Sequence, residues 1–258
     1  MKGQFLSFFL LSALLPAGVA GAEVLAVSPE RKLSVGERIV YAISYLGIPV
    51  GKAEAEVEGI VPIQGRRAYH VTVRVRSYPM IDLVYKVRDE HHSFIDTEHL
   101  YSLRYEKNLQ EGRRQVRQIM VYDQGSHEAR NLLNPARGPE PIAAGSQDEV
   151  SCGYFFRTLD LEGAGSLWIP VHAEGKNWKM EVKLHRRQKM DVPGVGKIPA
   201  VEIEPVMGFQ GIFFRRGKVR GWIGLDKRRI PIKMKVNIPV LGSVSSKLTD
   251  YRPGRVQE

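Results

Sequence analysis

The sequence contains a single cysteine, Cys152, among 258 residues. One thiol cannot form an internal disulfide, so stability must come from a sizeable hydrophobic core rather than from covalent cross-links. The residues next to Cys152 are apolar, which favours a buried thiol that packs as a small hydrophobic group over a reactive nucleophile. A chain of this length can bury roughly 70–75% of its unfolded surface, which is enough for one large domain or two small ones.

Catalytic and nucleotide-binding motifs are also missing. The sequence has no G-x-S-x-G elbow, no H-E-x-x-H pair, no P-loop and no Rossmann fingerprint. Gly194-Val195-Gly196 lacks the third glycine of a dinucleotide site and has the composition of a hairpin turn. We therefore assign no catalytic residue and expect no cofactor. The sequence favours a non-enzymatic protein and leaves enzymatic activity open.

Long hydrophobic runs are absent except near the start. Residues 5–15 are apolar apart from two serines, follow Lys2, and precede the small-residue site Ala20-Gly21-Ala22. This pattern predicts a signal peptide, residues 1–22, cleaved after Ala22, and a periplasmic or exported protein. The run is shorter than the ~20 residues of a membrane span, although an uncleaved anchor is the alternative. We expect no transmembrane segment in the mature chain.

Negative charge is in deficit, since 38 Lys and Arg outnumber 28 Asp and Glu to give a formal net charge of +10. Nucleic acid is a usual partner of such basic chains, but export argues against it. The positive residues are spread along the polar sides of alternating segments, which is typical of solvated strand faces. The sharper alternative is attraction to an anionic lipid or envelope polymer.

What the sequence has in abundance is strict alternation. Five apolar residues alternate with polar ones or proline in the clearest segment: Ile230, Ile232, Met234, Val236 and Ile238. A period of two places all five on one face of a β-strand. Similar runs, joined by Gly and Pro turns, recur through the chain and predict ten or more strands. The expected fold is mainly β, a large curved antiparallel sheet or open half-barrel.

One helix interrupts the strands. Ser146 and Glu149 have the spacing of a capping box, and four apolar residues follow at helical spacing: Cys152, Phe155, Phe156 and Leu159. We predict a helix over residues 148–160 that packs in the concavity of the sheet. The preceding segment, residues 123–147, is rich in Gly and Pro and is a possible seam within an otherwise single domain, residues 23–258.

Aromatic residues supply the candidate ligand contacts, which are Phe155, Phe156, Trp178 and Trp222. The two phenylalanines and Trp178 lie on apolar faces, where core packing is the competing interpretation. Trp222 shares a strand face with Lys218 and Arg220, which suits a contact site with an anionic group nearby.

Metal ligands concentrate only in residues 89–99, which contain three histidines and four carboxylates. His91 and His92 are adjacent, so in a strand they point to opposite faces and cannot share an ion. We therefore expect a solvated polar strand and no metal site there.

Several segments carry a resemblance to a known family. They are GERIVYAISYLGIPVGKAEAEV, DEHHSFID, LYSLRYEKNLQEGRR and GKVRGWIGLDKRRIPIKMKVNIPVLGSVSSKL. The chain resembles, over about residues 34–251, the bacterial exported proteins catalogued as domain of unknown function 3108. The resemblance implies an envelope protein built mostly of β-structure, and it brings no catalytic residues.

These observations lead to three functional hypotheses. The first is a periplasmic, non-enzymatic protein that binds or carries a lipidic or amphipathic envelope molecule in an uncovered part of the concave sheet. The second is a structural or assembly accessory that docks on an envelope protein partner through a sheet edge. The third, a metal-assisted hydrolase, requires His91, His92 and His99 to converge in one pocket.

Overall fold

The computed structural model describes residues 32–206, 218–238 and 242–256. The expected signal peptide lies outside these ranges. The described part of the chain contains fourteen strands, as the repeated alternation predicts. The strands are β1 (Arg38–Tyr45), β2 (Ile48–Ile63), β3 (Arg66–Ser77), β4 (Arg88–Asp96), β5 (Ser102–Glu111), β6 (Arg114–Asp123), β7 (Glu128–Asn131), β8 (Glu140–Pro141), β9 (Ser166–Ala173), β10 (Lys176–Val192), β11 (Gly196–Val206), β12 (Lys218–Gly224), β13 (Pro231–Ile238) and β14 (Gly242–Arg252). Two α-helices, α1 (Pro79–Asp82) and α2 (Ser151–Thr158), and a 3-10 turn (Pro135–Arg137) complete the described elements.

The strands form one antiparallel sheet, in the order β8-β7-β6-β5-β4-β3-β2-β1-β14-β13-β12-β11-β10-β9. The first and last strands of the described chain are therefore neighbours near the middle of the sheet, while β8 and β9 lie at its edges. Gln147, in the loop before α2, forms a parallel bridge to Val171 of β9. The sheet itself is not closed, so the mainly β, open and curved architecture expected from the sequence is confirmed.

Hairpin turns connect most sequential strands, and glycines with positive φ stand at several of these turns. Gly112 (φ 61°) turns the chain from β5 to β6, and Gly194 (φ 72°) turns it from β10 to β11. A side chain disfavours this left-handed region, so glycine is the low-energy choice there. The short helix α1 follows Tyr78 and connects β3 to β4.

The core lies on the concave face of the sheet. One large cluster joins apolar residues of strands on both sides of α2 with Cys152, Phe155, Phe156 and Leu159 of the helix segment. A second cluster contains Ile230 and Ile232 with Ile39 and Leu248. Of the alternating residues near β13, Ile230, Ile232 and Val236 are buried and Met234 is half-buried. The side chain of Ile238 lies outside the description.

Helix α2 is shorter than predicted, and its cap is different. It covers Ser151–Thr158 rather than residues 148–160, and no side chain caps it in the Ser146–Glu149 manner. Asp148 Oδ1 instead accepts the N–H groups of Val150 (2.7 Å) and Ser151 (2.8 Å), while Ser151 Oγ accepts the N–H of Asp148 (2.8 Å). The capping-box prediction is therefore wrong, because the buried Asp148 carboxylate satisfies the first N–H groups directly.

No helix in the described ranges is long and apolar enough to cross a membrane.

Candidate functional site

A cleft of about 270 Å³ lies between α2 and the concave face of the sheet. Its walls come from β1–β3 on one side, from β10–β14 on the other, and from the helix. Most of the lining side chains are apolar, among them Tyr41, Phe156, Met180, Val182, Ile203 and Met234. The volume is at the lower limit of ordinary ligand pockets, so the cleft suits a small apolar molecule or one segment of a larger amphipathic one.

A stripe of three helix-segment residues faces this cleft. Glu149, Gly153 and Arg157 are spaced four residues apart, so they follow one side of the helix, and all three line the cleft. A Cβ atom built on Gly153 would meet no heavy atom within 4 Å. Glycine in a helix costs about 0.5–1 kcal/mol relative to alanine. The open space beside Gly153 therefore comes at a cost in stability and widens the cleft where the helix approaches it.

Arg157 closes one end of the stripe with a buried ion pair. Its Nη1 and Nη2 donate to Glu37 Oε2 (2.7 Å) and Oε1 (2.6 Å), and its side chain also donates to the carbonyl oxygens of Arg228 and Arg229. Burial alone would lower the pKa of Arg157, but the Glu37 carboxylate outweighs burial and raises it. The guanidinium is therefore fully charged and fully paired, and it fixes the helix to the loop before β1 and to the loop before β13.

Glu149 closes the other end of the stripe. Its Oε1 accepts a hydrogen bond from Lys107 Nζ (2.6 Å), and its Oε2 accepts one from the Tyr105 hydroxyl (3.3 Å). Tyr105 in turn lies 2.7 Å from His91 Nδ1. Because the Tyr105 proton is directed to Glu149, the hydroxyl accepts from His91, which assigns the Nδ1–H tautomer. Burial, with a smaller contribution from Lys107, lowers the pKa of His91 to about 3, so the imidazole is neutral.

Asp148 anchors the start of the helix segment inside the core. Besides capping the helix, its Oδ2 accepts hydrogen bonds from the hydroxyls of Ser93 (2.7 Å) and Ser102 (2.5 Å) on β4 and β5. Burial raises the pKa of Asp148 even though these four hydrogen bonds oppose the shift. The helix is thus attached to the sheet by a side chain that the solvent does not reach.

The cleft holds little that could act as a nucleophile. Cys152 lines it, but burial raises the pKa of this thiol, which keeps it protonated at neutral pH. The two carboxylates that line the cleft, Glu149 and Glu54, are both held in ion pairs. The chemistry that this arrangement supports is binding of an apolar group.

The four aromatic residues singled out from the sequence separate into two pairs. Phe156 and Trp222 border the cleft, and the ring centroid of Trp222 lies 5.3 Å from Lys233 Nζ. Phe155 is buried in the main core cluster, and Trp178 packs against that cluster while its Nε1 donates to the carbonyl oxygen of Ala173 (3.0 Å). Neither of these two residues lines the cleft. The structure therefore brings together two of the four.

Gly153 and Arg157 are cleft residues that the sequence reasoning did not identify. The signal was present, because Glu149, Gly153 and Arg157 form the non-aromatic side of the helix at a spacing of four. That spacing is equally typical of a solvated helix face. Only the tertiary structure shows that this side of α2 lines an open cleft.

The histidines do not converge in the described structure. His91 is buried on the core side of β4, whereas His92 lies on the other side, 2.9 Å from His70 Nε2. His99 belongs instead to a group with Asp96 and Glu98 whose ligand atoms lie within 4.8 Å of one another. The Arg66 guanidinium contacts all three of these residues, so the group binds a positively charged side chain of the protein itself.

Comparison with solved structures finds a similar fold in one protein and weaker matches to two more. A β-barrel-like protein of the domain of unknown function DUF1849 from Brucella abortus is similar over 86% of this chain and 99% of its own, with 10% identity and a TM-score of 0.54. A presumed lipoprotein from Parabacteroides distasonis is 7% identical, covers 86% and 97% of the two chains, and has a TM-score of 0.39. A presumed exported protein of YmcC-like fold from Bacteroides fragilis is 10% identical over 86% and 98%, with a TM-score of 0.33.

None of the curated proteins compared with the chain matches it. The model of one family, described as a protein of unknown function (DUF3108), matches residues 40–249. This match covers all fourteen strands in whole or in part, together with the helix and the cleft, and it agrees with the resemblance carried by the sequence segments. The chain belongs to the DUF3108 family.

Proposed function

We propose that this protein binds the apolar part of a lipidic or amphipathic envelope molecule in the cleft between α2 and the sheet. The observation that carries the proposal is the mostly apolar cleft itself, which stays open on the helix side because the exposed Gly153 adds no side chain there. A side chain at position 153 would favour the helix and would cover part of the cleft, so the glycine keeps the cleft accessible at a cost in helix stability.

The charges around the cleft suggest how such a ligand would lie. Arg157 and Glu149 are satisfied by Glu37 and Lys107, so neither offers an unpaired charge to an ionised group deep in the cleft. We therefore place an aliphatic segment inside the cleft, with the polar end of the ligand towards solvent. The expected periplasmic location would give the protein access to such molecules.

The test is to fill the cleft without damaging the fold. Gly153→Leu places an apolar side chain in the open space, and Gly153→Ala provides the matched control because it removes the helical glycine but adds only one methyl group. Binding would be followed by the fluorescence of an acyl-chain probe such as cis-parinaric acid. The wild type and G153A should bind the probe. G153L should bind it at least about tenfold more weakly, because the leucine side chain occupies apolar contact area that the probe would otherwise cover.

Two results would contradict the proposal. One is a wild-type protein that does not bind the probe and that, in native mass spectrometry, carries no lipid after purification from native membranes. The other is a G153L variant that is folded and binds the probe as tightly as G153A.

The other two hypotheses receive less support from the described structure. Edge strand β8 has only two residues, and edge strand β9 contains Pro170 and is bridged by Gln147, so little edge is offered for strand addition. The metal-assisted hydrolase required His91, His92 and His99 to converge, and in the described structure His91 and His92 lie on opposite faces of β4.

A further inference from the structure

One end of the sheet concentrates exposed apolar side chains. We call this end the sheet tip and define it as the β1–β2 turn (residues 45–48) and the β3–β4 connection (residues 78–86). Eight of the thirteen large hydrophobic side chains that are exposed in the described ranges belong to it. Leu83 and Val84 are 88% and 89% exposed, and Met80 is 81% exposed. Scattered exposed hydrophobic residues are ordinary, but a group of this size marks an interaction surface.

Backbone contacts make the tip one continuous surface. Gly51 of β2 pairs with Ser77 of β3, and the N–H of Tyr78 donates to the carbonyl oxygen of Val50 (3.0 Å). The β5–β6 turn adjoins the same end, because the N–H of Gly112 donates to the carbonyl oxygen of Lys86 (2.8 Å). The two apolar segments are therefore neighbours in space as well as ends of neighbouring hairpins.

A row of basic residues crosses the outer face of the sheet just behind the tip. The strand registers place its members side by side across β13, β14, β1, β2, β3 and β4, with only Ala42 interrupting the positive charges: Lys233, Lys247, Ala42, Lys52, Arg76 and Arg88. We call this the basic row. Lys52, Arg76 and Lys247 are exposed, and none of them makes an ion pair with a carboxylate of the described chain.

The next row of the same face, further from the tip, is different. There Arg38 pairs with Glu54 and Arg74 pairs with Glu90, so its charges are neutralised. Like charges directly opposite one another on a sheet are destabilising. Apart from Arg88, which pairs with Asp82, the positive charges of the basic row lack a carboxylate partner in the described chain, which indicates that a negatively charged partner meets the row and the apolar tip together.

We propose that the sheet tip docks on an anionic lipid bilayer, with the apolar side chains inserted at the headgroup boundary and the basic row facing the lipid headgroups. Arg76 precedes Tyr78 by two residues, which is about 7 Å along a strand. Interfacial protein segments bury their apolar side chains ~5–10 Å into the boundary, so the charges lie at the depth of the headgroups. Tyr45, Tyr78 and Tyr85 at the tip are of the residue type that prefers this interface.

This inference does not require the cleft to hold a ligand. It is nevertheless compatible with one, because the cleft residues Met234 and Ser246 share a transverse row of the sheet with Gly51 and Ser77, immediately behind the tip. Docking would place that end of the cleft close to the membrane.

The test is flotation of the purified chain with vesicles of phosphatidylcholine alone or of phosphatidylcholine with phosphatidylglycerol. The wild type should bind only the anionic vesicles, and added salt should weaken binding because the exposed charges are screened. Leu83→Ser with Val84→Ser should weaken binding about 100-fold, since two aliphatic side chains no longer leave water. Lys52→Gln with Arg76→Gln should weaken it about 30-fold.

Matched controls are available elsewhere on the surface. Leu132→Ser with Leu133→Ser changes two half-exposed apolar residues outside the tip, and Lys189→Gln with Lys197→Gln removes two exposed charges from the β10–β11 hairpin at the far end. Both controls should bind anionic vesicles as the wild type does.

The proposal is overturned if the wild type does not bind anionic vesicles, if it binds neutral vesicles equally well, or if L83S/V84S binds like its control. A different outcome would also overturn the proposal: the wild type forms a dimer in sedimentation velocity, L83S/V84S abolishes the dimer, and the wild type does not bind vesicles. In that case a second copy of the chain would be the partner of the sheet tip.

Discussion

Arg157 and Glu37 form a bidentate ion pair across 120 positions of sequence, with N–O distances of 2.7 and 2.6 Å. The pair joins the last turn of α2 to the residue that precedes β1. Both side chains are largely buried, and their exposed fractions are 12% and 5%. The contact therefore holds the helix at a fixed position above the sheet and, with it, one wall of the cleft.

Arg157→Ala should be strongly destabilising because it leaves the Glu37 carboxylate buried without its partner. We expect the free energy of unfolding to fall by about 3–5 kcal/mol, measured by urea denaturation. Arg130→Ala removes an exposed pair with Glu128 and is the control, with an expected change of about 0–1 kcal/mol. Equal effects of the two substitutions would show that the Arg157 pair does not fix the helix.

Asp148→Ala should cost about 3 kcal/mol or more, because it removes a helix cap and leaves two buried serine hydroxyls without their acceptor. Asp148→Asn keeps the oxygen that accepts the Val150 and Ser151 N–H groups, so its cost should be about 1 kcal/mol. Ser146→Ala is the matched control, since Ser146 Oγ is buried and has no partner in the described structure. If S146A proved as harmful as D148A, the assignment of the cap to Asp148 would be wrong. Urea denaturation monitored by far-UV circular dichroism is the measurement.

His91 should make the fold sensitive to acid. In the unfolded chain a histidine takes up a proton near pH ~6.5, whereas burial lowers the pKa of His91 in the fold to about 3. Acidification through this window therefore favours the unfolded chain, and stability is lost as the pH falls. Between about pH 7 and pH 4.5, the free energy of unfolding of His91→Gln should fall by about 2 kcal/mol less than that of the wild type. The half-exposed His185→Gln should follow the wild type, and identical pH profiles for H91Q and the wild type would refute the idea.

Asp89, two residues earlier on the same strand, should have the opposite effect. Burial, aided by the nearby Glu111, raises the pKa of its carboxyl to about 6. The folded chain therefore retains a proton that the unfolded chain has already lost, and stability falls as the pH rises through that window. Asp89→Asn retains an oxygen that can accept the N–H of Gln110. Relative to the wild type, its free energy of unfolding should be higher by about 2 kcal/mol near pH ~7.5 and about equal near pH ~4. A constant difference at both values would contradict the assignment.

The local pattern was sufficient to predict much of the fold. Alternation in segments such as residues 230–238, together with the turn composition at Gly194, predicted strands and hairpins. A period of two has only one arrangement that buries every apolar residue on one face. The aromatic spacing that begins at Cys152 likewise predicted a helix packed on the sheet. The capping box failed because Ser146 and Asp148 are both plausible caps in sequence, and the choice depends on Ser93 and Ser102, which lie far away along the chain.

The candidate site was less accessible to sequence reasoning. An aromatic residue at an apolar position looks the same in sequence whether it fills the core, as Phe155 does, or borders a cleft, as Phe156 does. The basic row and the sheet tip were equally hidden, because Lys52, Arg76 and Lys247 become neighbours only through strand register.

The sequence by itself determined the strand periodicity, the turn positions, the helix face and the basic excess, because each depends on residues close together in the chain. Only the tertiary structure decided that Gly153 faces open space, that Arg157 is neutralised by Glu37, and that apolar loops and unpaired positive charges meet at one end of the sheet. These relationships depend on distances between residues far apart in sequence, and those distances are set by how the sheet curves around α2.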